Sequence, residues 1–292
     1  MASGVLVVDK PIGMTSHQVV QVIRNGTHIK RAGHTGTLDP RASGVLVVLI
    51  GPAVRLSEYV SAEDKRYQAT IKLGEKTDTY DADGTITGTA DVNVTMEQFE
   101  EALQQFVGQI EQVPPPYSAV KVKGRRAYEM ARKGEEVKLE PRIINVHSLE
   151  MIEWNAPEVV IDVHCSSGTY VRSLAYDLGE VLGCGANLTG LRRTKSGRFT
   201  LKDSVPLRKL NEAFENSDWY QYLIPAAEAL SDWPSITLNN EEVDNVRHGH
   251  RIERESSQGE MVRAITEQGE LVALMAFDAE TSEYQPKKVF FT

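Results

Sequence analysis

The stretch Gly33-His34-Thr35-Gly36-Thr37-Leu38-Asp39-Pro40 concentrates the most chemistry in this chain. Its glycines admit positive φ and close backbone approach. Its one carboxylate, Asp39, precedes Pro40, whose ring biases the preceding residue toward extended or turn backbone. A carboxylate held this way can act as a nucleophile or a base. An Asp-Pro pair in a glycine-rich loop is also an ordinary turn, so residue types alone leave all three readings open. A phosphate-cradling loop is excluded, because its Gly-Lys-Ser/Thr ending is absent. Metal readings elsewhere fail on spacing. Setting Gly84 at the glycine of a calcium loop puts Thr79 first and Ala90 at the obligatory Glu. His248-Gly249-His250 lacks a nearby third ligand. Cys165 and Cys184 match no zinc motif and are too few for a disulfide framework, which points to a reduced, cytosolic protein. No metal and no cofactor is expected.

The elements that must position this loop are legible by pattern. Gly4–Asp9 reads as a strand, then a Lys-Pro-x-Gly turn, then a helix capped by Thr15 or Ser16. Val45–Ile50 reads as a buried strand, too short to span a membrane. Alternation predicts strands over Tyr67–Leu73 and Val159–His164. Helical spacing predicts helices over Glu97–Phe106 and Thr169–Leu182, with an extended break at Pro114-Pro115-Pro116. Around Asn211–Asp232 the pattern loosens. Past Pro234 it becomes short alternating pieces: Ile236–Leu238, Met261–Thr266, Leu271–Phe277 and Lys288–Phe291. That predicts a small β-rich unit at the C-terminus.

Length and charge bound the answer. A chain of 292 residues, 41% hydrophobic and 25% charged, is long enough for two folded domains and excludes a disordered or fibrous protein. No signal-peptide core precedes Asp9 and Lys10. The net charge of −9 argues, taken whole, against a polyanionic partner. By segment the picture reverses: residues 1–66, 113–146 and 165–209 carry local excesses of +3, +4 and +5. Residues 74–112 and 210–292 carry −8 and −10. Three basic stretches brought to one face would form a nucleic-acid footprint on an acidic protein.

The catalytic-loop residues, followed by Ala42-Ser43-Gly44-Val45-Leu46, resemble the signature of the TruB family of tRNA pseudouridine synthases. The resemblance continues in chain order through Asp9-Lys10-Pro11-x-Gly13-Met14-Thr15-Ser16 and Asp64-Lys65-x-Tyr67. Next come Leu73-Gly74-x-x-Thr77-Asp78-Thr79-x-Asp81-x-Asp83-Gly84 and Pro115-Pro116-x-Ser118-Ala119-x-Lys121 with Arg126-Ala127-Tyr128. Ser166-x-Gly168-Thr169-Tyr170-Val171-Arg172 and Leu191-Arg192-Arg193 complete it. Arg41 and Ser43 depart from the commonest pattern, but neither replaces the carboxylate.

The resemblance implies an α+β fold, a mixed, mainly antiparallel sheet flanked by helices, with a small C-terminal β-rich barrel of the PUA type. It implies a catalytic domain over residues 1–233, with a basic RNA-clamping insertion at about 113–146, and the barrel over 234–292. The implied activity is isomerisation of uridine 55 in the T-loop of tRNA, using a flipped-out base and Asp39 as nucleophile. By the same resemblance Arg172 pairs with Asp39, and Tyr67 packs on the base. His34 stacks in the RNA cleft, and Lys10, Tyr170 and Leu191 line the uridine pocket. Lys121, Lys123, Arg125, Arg126, Arg132 and Lys133, with Arg192 and Arg193, become RNA contacts. The implied partner is the tRNA elbow, with no membrane and no obligatory protein partner. A second reading keeps the same basic face for a non-catalytic tRNA-binding or folding protein. A carboxylate glycosidase is disfavoured, since Asp39 has no motif partner as the second acid.

Overall fold

Thr15 fixes where the first helix starts. Its hydroxyl accepts the Gln18 N–H while Gln18 Oε1 accepts the Thr15 N–H, a reciprocal box capping Ser16–Thr27. Val19, Val20 and Ile23 form its buried stripe. In this computed structural model, residues 2–122, 124–254 and 257–290 are described, and they divide into two compact units. Among the described residues no helix is long and apolar enough to cross a membrane.

One unit combines residues 1–62 with 196–292. Its N-terminal strand Gly4–Lys10 pairs antiparallel with Ala42–Ile50 along its whole length, from Gly4 opposite Ile50 to Lys10 opposite Gly44. Ala32–His34 pairs with the far half of Ala42–Ile50, His34 opposite Val48. Val45–Ile50 is buried on both faces, as a continuous apolar run requires. Val5, Val7, Val45, Val47 and Leu49 share one core with Leu271, Leu274 and Phe290 of the C-terminal strands. The C-terminal sheet runs Ser235–Leu238, Met261–Thr266, Leu271–Asp278, Glu283–Val289, Ile252–Glu253, mixed in direction. A second core of its own holds Ile236, Leu238, Val243, Val246, Val262, Met275 and Tyr284.

Three details depart from the sequence reading. The loose stretch contains a helix, Leu207–Glu215, whose polar composition hides a narrow apolar stripe of Leu207, Leu210 and Ala213. Asn240–Arg247 is a helix, capped by Asn239 and Glu242, inside a segment read as strands only. The last strand is Glu283–Val289, because the turn before it closes at Ser282 in the left-handed region. Phe291 lies outside the described residues.

The other unit, residues 63–195, is a sheet ordered Ala186–Ser196, Lys65–Leu73, Glu158–Cys165, Arg142–Asn155, Gly108–Gln112. Lys65, Tyr67, Ala69, Ile71 and Leu73 point to its buried face, and Arg66 and Gln68 to the other. Met96–Gln104 packs on Arg142–Asn155, with Phe99 against Trp154 at 5.5 Å. Val171–Val181 packs on the strand that carries Tyr67. The sequence expectation of a mixed, mainly antiparallel sheet with flanking helices and a small C-terminal β-rich barrel describes the molecule.

Helix Val171–Val181 half-buries an acid, Asp177, that its stability must accommodate. Burial, helped by the Glu180 carboxylate, pushes the Asp177 carboxyl up to about 6. A carboxyl with a raised folded-state pKa disfavours the folded state once ionised. Its cost is small below the ordinary carboxylate range and fully present above about 6. Asp177→Asn should therefore stabilise the chain by about 1–2 kcal/mol at pH 8, after discounting for partial exposure, and by much less at pH 4. Urea unfolding of both proteins at the two pH values measures the difference.

Candidate active site

A reactive carboxylate on a glycine-rich loop must be held by something other than its own backbone. The sequence between Lys10 and Ser16 supplies three ties. The Ser16 hydroxyl accepts the Leu38 N–H at 2.8 Å and donates to the Leu38 carbonyl at 3.0 Å. The Gly13 N–H donates to the Pro40 carbonyl at 2.7 Å. The fully buried Lys10 ammonium donates to the carbonyls of Ala42, at 2.7 Å, and Pro11, at 2.8 Å. These ties bracket Asp39 on both sides. The loop also closes on itself, Ala42 N–H to Asp39 carbonyl at 3.0 Å, and on its strand, Thr35 N–H to Val47 carbonyl at 3.1 Å. Asp39 and His34 are partly exposed. Gly13 has φ 89°, a backbone that favours glycine and lets its N–H turn toward Pro40.

The second unit carries the rest of the set. Arg172 lies in the first turn of Val171–Val181, is largely buried, and is gripped from three sides. Its Nη1 donates to Asp81 Oδ2 at 3.1 Å and to the Thr79 carbonyl at 3.3 Å, and its Nη2 to the Tyr117 carbonyl at 3.1 Å. The planar fork of a guanidinium suits such multiple capture. The helix start is stitched to the same extended segment. Gln112 donates from Nε2 to the Tyr170 carbonyl at 3.0 Å and accepts the Tyr170 N–H at 2.8 Å. Ser173 Oγ donates to the Val113 carbonyl at 2.8 Å. The run Pro114-Pro115-Pro116 between these contacts has no N–H groups of its own to satisfy, which suits a segment that serves as acceptor.

Tyr67 lies on the buried face of its strand, opposite Val163, and Leu191 is half-buried on Ala186–Ser196. Arg193 on that strand is buried, while Arg192 is partly exposed. Burial, with Arg193 adding repulsion, pushes the Lys65 ammonium down to about 8. Lys121, Arg125 and Arg126 are exposed on a short hairpin, Lys121–Val122 with Arg125–Arg126, and Arg132 and Lys133 are exposed just past the helix Ala127–Ala131. Arg126 and Arg132 lie over the Tyr128 ring at 5.9 and 5.6 Å, and Arg125 is held bidentate by Glu135. Lys123 lies outside the described residues.

Two roles escaped sequence reasoning. Ser16 stood only as a possible cap, and its bond to Leu38 crosses 22 positions without a local signal. Asp81 stood in a matched block without an assigned role; its closeness to Arg172 spans 91 positions.

Known proteins resemble this chain over most of its length. Residues 24–171 match the model of the TruB family pseudouridylate synthase (N terminal domain), and residues 172–231 that of the tRNA pseudouridylate synthase B C-terminal domain. The tRNA pseudouridine synthase B of Thiobacillus denitrificans is 40% identical over 289 residues, covering 99% of this chain and 96% of that protein. That of Symbiobacterium thermophilum is 47% identical over 250 residues, covering 84% and 82%. A chain solved in a Cbf5-Nop10-Gar1 complex superposes with TM-score 0.76 at 29% identity, over 99% of this chain and 85% of that one. A chain in an H/ACA RNP bound to a substrate RNA containing 2'-deoxyuridine gives TM-score 0.76 at 26% identity, with the same coverage.

Removing the Ser16 hydroxyl should loosen the loop. Ser16→Ala leaves two buried backbone groups of Leu38 unpaired, at a cost of about 1–3 kcal/mol. The expected readouts are a lower denaturation midpoint and faster hydrogen exchange at the Leu38 amide. An unchanged exchange rate there would mean that Ser16 does not hold the loop.

Proposed function

The chain belongs to the TruB family of pseudouridylate synthases, and on that premise we propose that it isomerises uridine 55 in the T-loop of tRNA to pseudouridine. The reaction breaks the bond from ribose C1′ to uracil N1, turns the base, and joins C1′ to C5. The C5 proton leaves and N1 gains one, so atoms balance without redox chemistry or an energy source.

Asp39 is the nucleophile, attacking either C1′ or C6. The observation that carries this reading is the three-point tether of its loop, which fixes the backbone on both sides of Asp39. Preset geometry of this kind lowers the entropic part of a barrier. Arg172, held by Asp81, Thr79 and Tyr117, is the family's arginine partner of the nucleophile. Tyr67 packs on the uracil from its strand, and Lys10, Tyr170 and Leu191 build the walls of the uridine pocket. His34 stacks in the RNA cleft once the base has left the T-loop, offsetting part of the few kcal/mol that flipping costs.

The exposed arginines and lysines of 121–133 take phosphates of the tRNA elbow, with residues 113–146 acting as a clamp on a catalytic domain of residues 1–233. Arg125 must exchange Glu135 for phosphate to do so, whereas Arg126 and Arg132 are already splayed on Tyr128. Residues 234–292 form the PUA-type unit, whose acidic balance limits its share of phosphate contact.

Incubation with an unmodified tRNA transcript should place pseudouridine at position 55, mapped with a base-specific chemical probe. No product there from a folded sample defeats the assignment. Asp39→Asn should abolish turnover and leave tRNA affinity within a few-fold. Turnover near the parental rate would mean that the nucleophile lies elsewhere. Affinity should fall steeply with salt, because binding releases counterions from several phosphates. A flat salt dependence contradicts the basic-face reading.

A further inference from the structure

A group that the isomerisation does not use sits on the face of the Lys65–Leu73 sheet away from its helices. Asp64 directly precedes that strand, His164 is the next-to-last residue of the neighbouring strand Glu158–Cys165, and His147 lies on the next, Arg142–Asn155. One ligand atom from each, a carboxylate oxygen and two imidazole nitrogens, lies within 4.8 Å of the other two. His147 Nε2 is 3.0 Å from Asp64 Oδ2, and the two imidazole rings are 4.7 Å apart.

The convergence has a structural cause. Val146 opposes Cys165 and Ser148 opposes His164, so His147 is the extra residue of a β-bulge. A bulge re-aims a side chain out of the regular alternation, and here it leaves His147 beside His164. Pairing at the next strand sets His164 opposite Arg66, which brings Asp64 to the same corner.

We propose that Asp64, His147 and His164 bind one divalent transition-metal ion, zinc by preference. Two imidazoles and one carboxylate form a borderline-soft set that suits zinc and excludes magnesium or calcium as the preferred ion, since those want oxygen ligands. Zinc holds such donors at about 2.0–2.2 Å and imposes little geometric preference of its own, so side chains on three strands can close on it by small rotations. His147 and Asp64 are partly exposed, which leaves an entry path and room for water at a fourth position.

An outer partner is also in place. Asn145 Nδ2 lies 3.1 Å from His147 Nδ1. With the amide turned, its oxygen accepts Nδ1–H and leaves Nε2, the nitrogen facing Asp64, for the metal. The nearest guanidinium, Arg66, is engaged by Asp162, so its charge is countered at the edge of the site. The isomerisation has no step for the ion. Its consequence is local: it ties the start of the Tyr67 strand to the next two strands of the sheet, Glu158–Cys165 and Arg142–Asn155.

The test is calorimetric titration of the chelator-stripped full chain with zinc chloride. About one equivalent should bind, and His147→Ala and His164→Asn should each weaken binding roughly ten-fold or more. Cobalt(II) should give visible absorption bands with the parental chain that His147→Ala removes. His250→Ala, in the separate histidine pair near the C-terminus, should change neither. His147→Ala decides the matter alone if His164→Asn fails to fold, because His147 is exposed. Absence of saturable binding overturns the proposal. So does affinity unchanged in His147→Ala, or binding lost in His250→Ala instead.

Discussion

The serine-to-backbone clamp at Leu38 is the contact on which the catalytic loop depends. A loop rich in glycine pays heavily in conformational entropy when fixed, and Asp39 is useful only when its carboxylate has one position. The protein meets this by anchoring the loop through backbone atoms, at Leu38, Pro40 and Ala42, from a turn and helix start 22 to 32 residues earlier. With the main chain fixed on both sides of Asp39, the carboxylate takes its position from the backbone.

The same economy governs the second unit. Arg172 carries a charge that must stay put in a largely buried environment, and it is held by one carboxylate and two carbonyls. Those carbonyls belong to Thr79 and Tyr117, on segments that otherwise look unrelated: an acidic hairpin and a proline-rich strap. The strap's missing N–H groups turn from a defect into a fit, because only its acceptors are called on. Asp81 is a counter-charge that helps make a mostly buried guanidinium tolerable.

Charge follows position rather than sum. The total of −9 describes an average over surfaces with different partners. The exposed basic residues of 121–133 stand apart from cations such as Lys10, Lys65 and Arg193, whose side chains are buried. A basic residue in a basic segment is thus of two kinds. Only burial separates them, and Arg192 and Arg193, adjacent in sequence, fall on different sides of that line because strand alternation turns them opposite ways.

Local chemistry was legible in the sequence. The Thr15 cap, the alternation of Lys65–Leu73, the apolar run of Ala42–Ile50 and the motif around Asp39 each reside within a few residues, where propensity and periodicity act. Family and fold class followed from motifs ordered along the chain. Helices with narrow apolar stripes, such as Leu207–Glu215 and Asn240–Arg247, were hidden because packing against a neighbour, not periodicity, decides them. The bond from Ser16 to Leu38, the pairing of Arg172 with Asp81 and the meeting of Asp64, His147 and His164 were decided only by the tertiary structure. Each joins residues 17 to 100 positions apart through tertiary packing, sheet pairing or one bulge, and no local pattern encodes these.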